Sequence, residues 1–275
     1  MRTLPQIHSI PVRPQPLPCE TVARLPDVRL RRYVLGYAGF RAGARSALPH
    51  RLLPLNLATL VIDLAAPYAL VTGARSTPTV AGPSTWAYGV SVGLTPEGVA
   101  ALLGVPMREL AGTAVPLPDL LGRPATGLVE RLAAAPDWSA RFALLDEILT
   151  GEILDSATAG GASQPDTMVS SAWWQLQRAP AGLRIGALAD RVGFSRRCLE
   201  LRFRRQIGLT PGTVARIVRF QRAIGLLASG AALAGTATDT GYADQPHFTR
   251  EVRALSGLTP TQLCAFLQDL VPGRQ

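Results

Sequence analysis

The sequence contains no lysine; all 28 of its basic residues are arginine. That absence reads as the codon usage of a genome of high G+C content. Cysteine and histidine are scarce, at three residues each. Cys19, Cys198 and Cys264 lie far apart without metal-ligand spacing, so neither a structural zinc site nor a disulfide framework is expected. Cys198 and Cys264 read as small apolar fillers and Cys19 as a thiol in a proline-rich entry; reduced thiols in the cytoplasm are the expectation. No apolar run reaches bilayer length, and the first residues lack the continuous apolar core of a signal peptide, so no membrane partner is expected. There is no glycine-rich phosphate loop, no paired-histidine zinc motif and no nucleophile elbow. Asp146-Glu147 falls on an amphipathic stretch, where a solvated face accounts for both acids. A methyl-accepting Cys19 would need a metal cluster of cysteines that the sequence lacks. Catalytic residues, cofactors and metals are therefore not expected.

What is present is enough apolar material for real cores, 47% of 275 residues, and a net charge of +9 that is unevenly placed. From Gln175 onward 14 arginines face 6 acids, whereas the preceding residues are nearly balanced. Such a basic excess over one region is the electrostatic footprint of a nucleic-acid binder. The region carries an internal repeat. In LRIGALADRVGFSRRCLELRFRRQIGLTP, Ile185, Leu188 and Val192 suit a short helix with one buried face. Gly193 permits a tight turn, Phe194 plugs the angle, and Ser195 caps a second helix over Arg196 to Ile207. That helix turns Leu199, Phe203 and Ile207 inward and Arg196, Arg197, Glu200, Arg204 and Arg205 outward. A second unit, LAGTATDTGYADQPHFTREVRALSGLTP, repeats the logic. A helix from about Leu233 to Thr240 ends at Gly241, and Tyr242 is the wedge. A helix from about Asp244 to Leu255 buries Phe248, Val252 and Leu255 and exposes Gln245, Thr249, Arg250 and Arg253. Both units close on G-L-T-P, with Gly208 and Gly257 49 positions apart. Between them Thr213 to Ser229 forms one long helix, with Val214, Ile217, Phe220, Ile224 and Leu227 on one face. Its 17 residues span roughly 26 Å, the order needed to bring two reading helices into successive major grooves.

Over about a hundred residues this pattern resembles the DNA-binding domain of AraC/XylS-type transcription regulators. The match runs through Leu188-Ala189, Gly193-Phe194-Ser195, Arg197, Leu199, Phe203, Gly208, Arg219, Arg222-Ala223 and Leu226-Leu227. It continues through Ala237, Gly241-Tyr242, Asp244-Gln245, His247-Phe248, Arg250, Arg253 and Gly257 to Pro260. The resemblance implies base contacts from Arg197 and Glu200 in the first unit and from Gln245, Thr249 and Arg250 in the second. Arg196 lies beside the first set. Arg204 and Arg205 suit either phosphate contacts or solvent, and Asp244 an N-cap. Leu201 stands where the family commonly has arginine. Thr236 replaces a buried aliphatic residue and Val252 a phenylalanine, which predicts a less tightly packed second unit.

The first 20 residues, rich in proline, read as an extended arm that lies on the following domain or reaches a second subunit. Strand signals dominate Arg31 to Gly93, in RRYVLGYAGF, NLATLVIDL, YALVTG and TWAYGVSVGL. Tyr33, Tyr37, Tyr68, Trp86 and Tyr88 there suit either a pocket or the core. His50 and Arg51, in a loop beside a strand, suit either an acid ligand or plain surface. Arg29, Arg31 and Arg32 read as a solvated cluster rather than an anion site. Thr95-Pro96-Glu97 opens a helix that ends at Gly104. VPLPDLLG is a turn-rich connection. Thr126 to Ala134 and Trp138 to Leu154 are two helices, which either dimerise, as the resemblance suggests, or cover the sheet. Thr167 to Arg178 opens the C-terminal domain.

The expected fold is α+β: a small antiparallel sheet or barrel with helices, then an all-α domain with two helix-turn-helix motifs joined by a long helix. The expected domains are residues 1–155 for effector response or dimerisation, a linker at 156–166, and a DNA-binding domain at 167–275. The function implied is sequence-specific transcription regulation on double-stranded DNA. RNA polymerase, a small-molecule effector and a second copy of the chain are candidate partners. The alternative is an N-terminal half that makes protein contacts only, without an effector.

Overall fold

The computed structural model describes residues 6–13, 19–42, 48–66, 68–84, 86–122, 126–159, 166–179 and 183–268. Nine strands alternate with little helix up to Pro116: β1 (Ser9–Pro11), β2 (Cys19–Arg24), β3 (Val34–Ala42), β4 (Leu48–Leu52), β5 (Ala58–Asp63), β6 (Tyr68–Thr72), β7 (Thr79–Ser84), β8 (Tyr88–Leu94) and β9 (Ala114–Pro116). They form two sheets, β1-β4-β7 and β2-β3-β8-β5-β6-β9, and every pairing is antiparallel. β5 lies between β8 and β6 and is buried along its whole length, which is why ATLVID reads as a run rather than an alternation. The helices α1 (Pro96–Leu103), α2 (Leu117–Leu121), α3 (Thr126–Ala134) and α4 (Trp138–Ala159) follow or interrupt the sheet. α1 starts as its sequence demands: Thr95 accepts from the Gly98 N–H at 3.0 Å, Pro96 takes the first turn, and Gly104 closes the helix at φ +69°.

Leu60, Ile62, Val71, Val90 and Val92, alternate residues on neighbouring strands, present one face of the larger sheet to Phe142, Leu145 and Leu149 of α4. This core does not end with the sheet. It continues into the helices α5 (Thr167–Arg178), α6 (Ile185–Arg191) and α7 (Arg196–Ile207) through Trp173, Leu188, Leu199 and Phe203, and into α8 (Pro211–Ala228) through Val214 and Ile217. A second core joins Phe220, Ile224 and Leu227 of α8 to α9 (Leu233–Asp239), α10 (Gln245–Ser256) and α11 (Pro260–Gln268). Ile10 of β1 and Leu53 beside β4 belong to it. The first unit thus shares the core of the large sheet, with α7 against Met107–Leu110, and the second packs on the arm and the small sheet.

Buried amides stitch this seam. Asn56, fully buried, accepts on its side chain from Gln177 Nε2 at 2.7 Å and on its carbonyl from the Trp173 indole N–H at 3.2 Å. Gln221 of α8 accepts from the Ile7 N–H at 2.8 Å. It donates to the Ile7 and Pro54 carbonyls at 3.1 and 2.9 Å.

Several expectations change. The arm carries a strand, and β1 lies on β4 of its own chain; residues 1–5 and 14–18 fall outside the described set. CETVAR, LPHRL and TVAGPS are strands as well, so His50 and Arg51 stand in β4 rather than in a loop. VPLPDLLG contains the end of β9 and all of α2. α4 runs on to Ala159, so the expected linker begins as helix; residues 160–165 of it are outside the described set. α4 covers the sheet, one of the two roles considered for it. Arg29, Arg31 and Arg32 are engaged with Asp27, the Pro26 carbonyl and Glu97. All three cysteines are half-buried. Among the described residues no helix is long and apolar enough to cross a membrane.

Replacing Gln221 by leucine keeps the volume and strips the partners from three backbone groups at the seam. The expected cost is about 1–3 kcal/mol in urea unfolding, with faster amide exchange at Ile7.

Candidate nucleic-acid interface and interior cavity

The two units are built by the same local rules. In the first, Gly193 at φ +70° ends α6 and the Phe194 N–H returns to the Ala189 carbonyl at 3.0 Å. In the second, Gly241 at φ +73° ends α9 and the Tyr242 N–H returns to the Ala237 carbonyl at 3.0 Å. Ser195 accepts from the Cys198 N–H at 3.2 Å to start α7; Asp244 accepts from the His247 N–H at 2.6 Å to start α10. Thr210 and Thr259 then cap α8 and α11 through the Thr213 and Gln262 N–H groups. Leu199, Phe203 and Ile207 are fully buried beneath α7, and Phe248, Val252 and Leu255 beneath α10. Each helix is thereby fixed with its polar face outward and its N-terminus at the tight turn, the presentation a major-groove reader needs.

On α7, Arg196, Arg197 and Arg204 are exposed and Glu200 is half-exposed; on α10, Gln245 and Arg250 are exposed and Thr249 is half-exposed. Arg196 and Glu200 pair with each other at 3.0 Å. In the second unit both positions that depart from the family pattern are buried. Thr236 is fully buried, and its hydroxyl donates to the Ala232 carbonyl at 2.9 Å, so the helix itself satisfies the polar group that replaced an aliphatic one. Val252 is fully buried too.

Other arginines act inside the domain, a distinction that composition could not make. Arg202 joins Asp166, the N-cap of α5, and lies 4.6 Å over the Phe194 ring. Arg216 pairs with Glu251 of α10 at 2.7 Å, while Arg219 reaches Glu251 at 3.9 Å and lies 4.7 Å over Tyr242. Burial raises the Tyr242 hydroxyl to about 12. Arg222 donates to the Gln177 and Ala179 carbonyls at the end of α5, and burial lowers its pKa. α8 is thus tied to the end of α5 and to α10.

The N-terminal half touches both α7 and α10 at their repeated ends. Arg108 donates to the Arg205 carbonyl in the last turn of α7 at 3.1 Å. A Cβ placed on Gly208 would stand 2.7 Å from that of Ala111. In the second unit a Cβ placed on Gly257 would stand 2.7 Å from the Arg51 guanidinium of β4. Each contact places a cation of the N-terminal half at the negative end of one of these helices.

Within the N-terminal half lies a cavity of about 550 Å³, lined by Leu25, Leu35, Tyr37, Leu55 and Leu57, with Gln6, His8, Arg24, Thr59 and Ser91 as its polar groups. The Thr59 hydroxyl and the Gln6 amide oxygen are buried without a hydrogen-bond partner. His8 pairs with Thr72 at 2.8 Å; burial, then Arg75 and His50, hold its imidazole down to about 3. Trp86 stands between the rings of His8 and His50, 5.8 and 5.7 Å away. Of the aromatics considered for a pocket, Tyr37 lines the cavity while its ring stacks on Phe142, and Tyr88 packs edge-on to Trp138. Tyr68 is exposed.

Residues 188–265 match the family described as a helix-turn-helix domain. Among solved structures, a Chromobacterium violaceum transcriptional regulator with an AraC-type DNA-binding domain aligns at 27% identity (39% of this chain, 96% of that one, TM-score 0.36). A DNA-binding transcriptional dual regulator of Escherichia coli K-12 aligns at 23% identity (38% and 93%, TM-score 0.33). Vibrio cholerae ToxT, bound to (E)-4-(8-methylnaphthalen-1-yl)but-3-enoic acid, aligns at 11% identity over 91% of this chain and 98% of its own, with a TM-score of 0.50, so the likeness of fold extends across both halves. No curated protein sequence matches the chain.

The neutral His8 makes stability depend on pH. An unfolded histidine titrates near 6.5. The stability that His8 contributes is therefore complete above that value and is lost as pH falls from about 6.5 toward about 3. His8→Gln should flatten the slope of urea-unfolding free energy between pH 7 and pH 5, by up to about 1.4 kcal/mol per pH unit.

Proposed function

We propose that this chain, a DNA-binding transcription regulator with an AraC-type helix-turn-helix domain over residues 188–265, reads its site with two helices, α7 and α10, in successive major grooves. The observation that carries this is the repetition of one geometry: the same turn, the same capping and the same buried triad beneath each helix, with an uninterrupted α8 between them. At about 1.5 Å per residue, the 18 residues of α8 span roughly 27 Å. That separation suits grooves one helical turn apart, about 34 Å.

The base-reading roles go to Arg197, Glu200, Gln245, Thr249 and Arg250. Arg196 and Arg204 neutralise phosphates in this reading, and the Arg196–Glu200 pair opens as the helix enters the groove. Residues 1–155 act as the controlling domain, 156–166 as the connection and 167–275 as the DNA-binding domain. The control is by a small molecule in the cavity of the N-terminal half, whose mostly apolar wall and unpartnered Thr59 hydroxyl and Gln6 amide oxygen suit an apolar body with one or two polar groups. ToxT, which shares the fold, holds an organic acid. Arg51 and Arg108 couple the controlling domain to the ends of α10 and α7. A second copy of the chain and RNA polymerase complete the partners of this reading.

Selection of bound sequences from a random DNA pool with the full chain should enrich two half-motifs about one helical turn apart. Log affinity for the winner should fall linearly with log salt, by about 0.9 for each phosphate neutralised. A single half-motif would demote α10 to a positioning element. Arg250→Ala should weaken binding to the selected site by about 1–3 kcal/mol and leave random DNA nearly unaffected. Equal losses on both would make Arg250 a phosphate contact.

A further inference from the structure

α7 carries one outward residue that is apolar. Leu201 is 49% exposed. Among the described residues from Leu183 onward it is the one large hydrophobic side chain so exposed. Its neighbours along the helix surface are Arg197, one turn before it, and Arg204 and Arg205, one turn after it, all three exposed. The other polar groups nearby are spoken for. Arg196 and Glu200 hold each other at 3.0 Å, and Arg202 turns back to Asp166 and the Phe194 ring. Along the surface of α7 the isobutyl group of Leu201 therefore lies among three exposed arginines.

A stripe of cations around an apolar side chain is complementary to a surface that is anionic at its edges and carries an apolar group within. In the major groove of B-DNA that group is the C5-methyl of thymine, the apolar element of the base-pair code. Leucine offers no donor, so against guanine, whose O6 and N7 both face the groove, it would cover two acceptors without satisfying them. Both terms favour thymine: the methyl gains a partner, and the competing base loses its water.

We infer that Leu201 is a specificity-determining residue that selects thymine in the half-site read by α7, through contact with the thymine methyl group. This rests on the reading that α7 enters the major groove. Such a contact distinguishes thymine from uracil, which pairs identically and lacks only the methyl.

The test uses the full chain and a duplex carrying the site selected from a random pool. Each thymine is replaced in turn by deoxyuridine, and affinity is measured for the unaltered protein and for Leu201→Ala. Removal of one methyl contact should weaken binding by about fourfold, the worth of one buried methylene. The expected result is one sensitive position in one half-site, with the sensitivity gone in Leu201→Ala. Because Leu201 is surface-exposed, the variant keeps its core, and unchanged binding to random DNA serves as the control. Leu201→Arg should move the preference at the same base pair from thymine toward guanine. If no thymine is methyl-sensitive, or if the sensitivity survives in Leu201→Ala, the assignment is overturned.

Arg197→Ala separates this outcome from failure of the underlying reading. If it relaxes base preference in the same half-site while deoxyuridine has no effect, α7 reads bases and the Leu201 assignment alone falls. If it leaves preference untouched, or if no sequence is enriched from the pool, α7 is not a base reader and both ideas fall together.

Discussion

The polar seam between the two halves is the constraint on which the rest of the structure depends. Helices and strands meet there away from water, and each backbone group left at the boundary needs a partner. Gln221 supplies such partners to Ile7 and Pro54 from inside the apolar surroundings, while Gln177 pairs its side chain with that of Asn56, whose carbonyl accepts from the Trp173 indole. Apolar side chains could fill the same volume but would leave these carbonyls and N–H groups unsatisfied. The amides therefore fix which strand meets which helix, where packing alone would tolerate several alignments. With this alignment set, the large sheet shares its core with the first unit, and the small sheet shares one with the second.

Because of that division, the DNA-reading half is not assembled on α8 alone. Arg216 and Arg219 pull α10 toward α8 through Glu251, while Arg222 caps α5 and Arg202 anchors its start. Arg108 and Arg51 add a grip from outside at Gly208 and Gly257. The arginine-rich composition therefore divides into two populations. One faces outward from α7 and α10, and the other sets the distance and angle between those helices. A charge count treats the two alike, although the second is engaged in contacts that join one element to another.

How much of this could be read in the sequence follows from the range of the interactions. Caps and tight turns are local, and Thr95, Ser195, Thr210, Asp244 and the glycines that close their helices marked element ends to within a residue or two. The buried faces of α7, α8 and α10 repeat at helical spacing and were equally plain. β5, β6 and β8 are rich in β-branched residues and stood out. β4 and β7 were hidden by Pro49 and Pro83, which pair with each other beside a register shift, and β2 by its polar composition. The seam left no local trace: Asn56 meets Trp173 across 117 residues, and Gln221 meets Ile7 across 214. For the candidate site, outward position was legible but occupation was not, since nothing in the spacing told that Glu200 is held by Arg196 or that Arg202 is held by Asp166.

The short stretch from Gln6 to Pro11 meets both the cavity and the core of the second unit. Gln6 and His8 line the cavity, Ile7 bonds to Gln221, and Ile10 enters the core around Phe220 and Leu227. Neighbouring residues in it thus serve surroundings of opposite polarity. A slip of one position would bring isoleucine to Thr72 and a polar side chain toward the apolar core, at the cost of both contacts at once. The stretch cannot creep. It is either seated in this register or released from both surroundings, so whatever displaces it acts on the second unit as a step and not as a gradient.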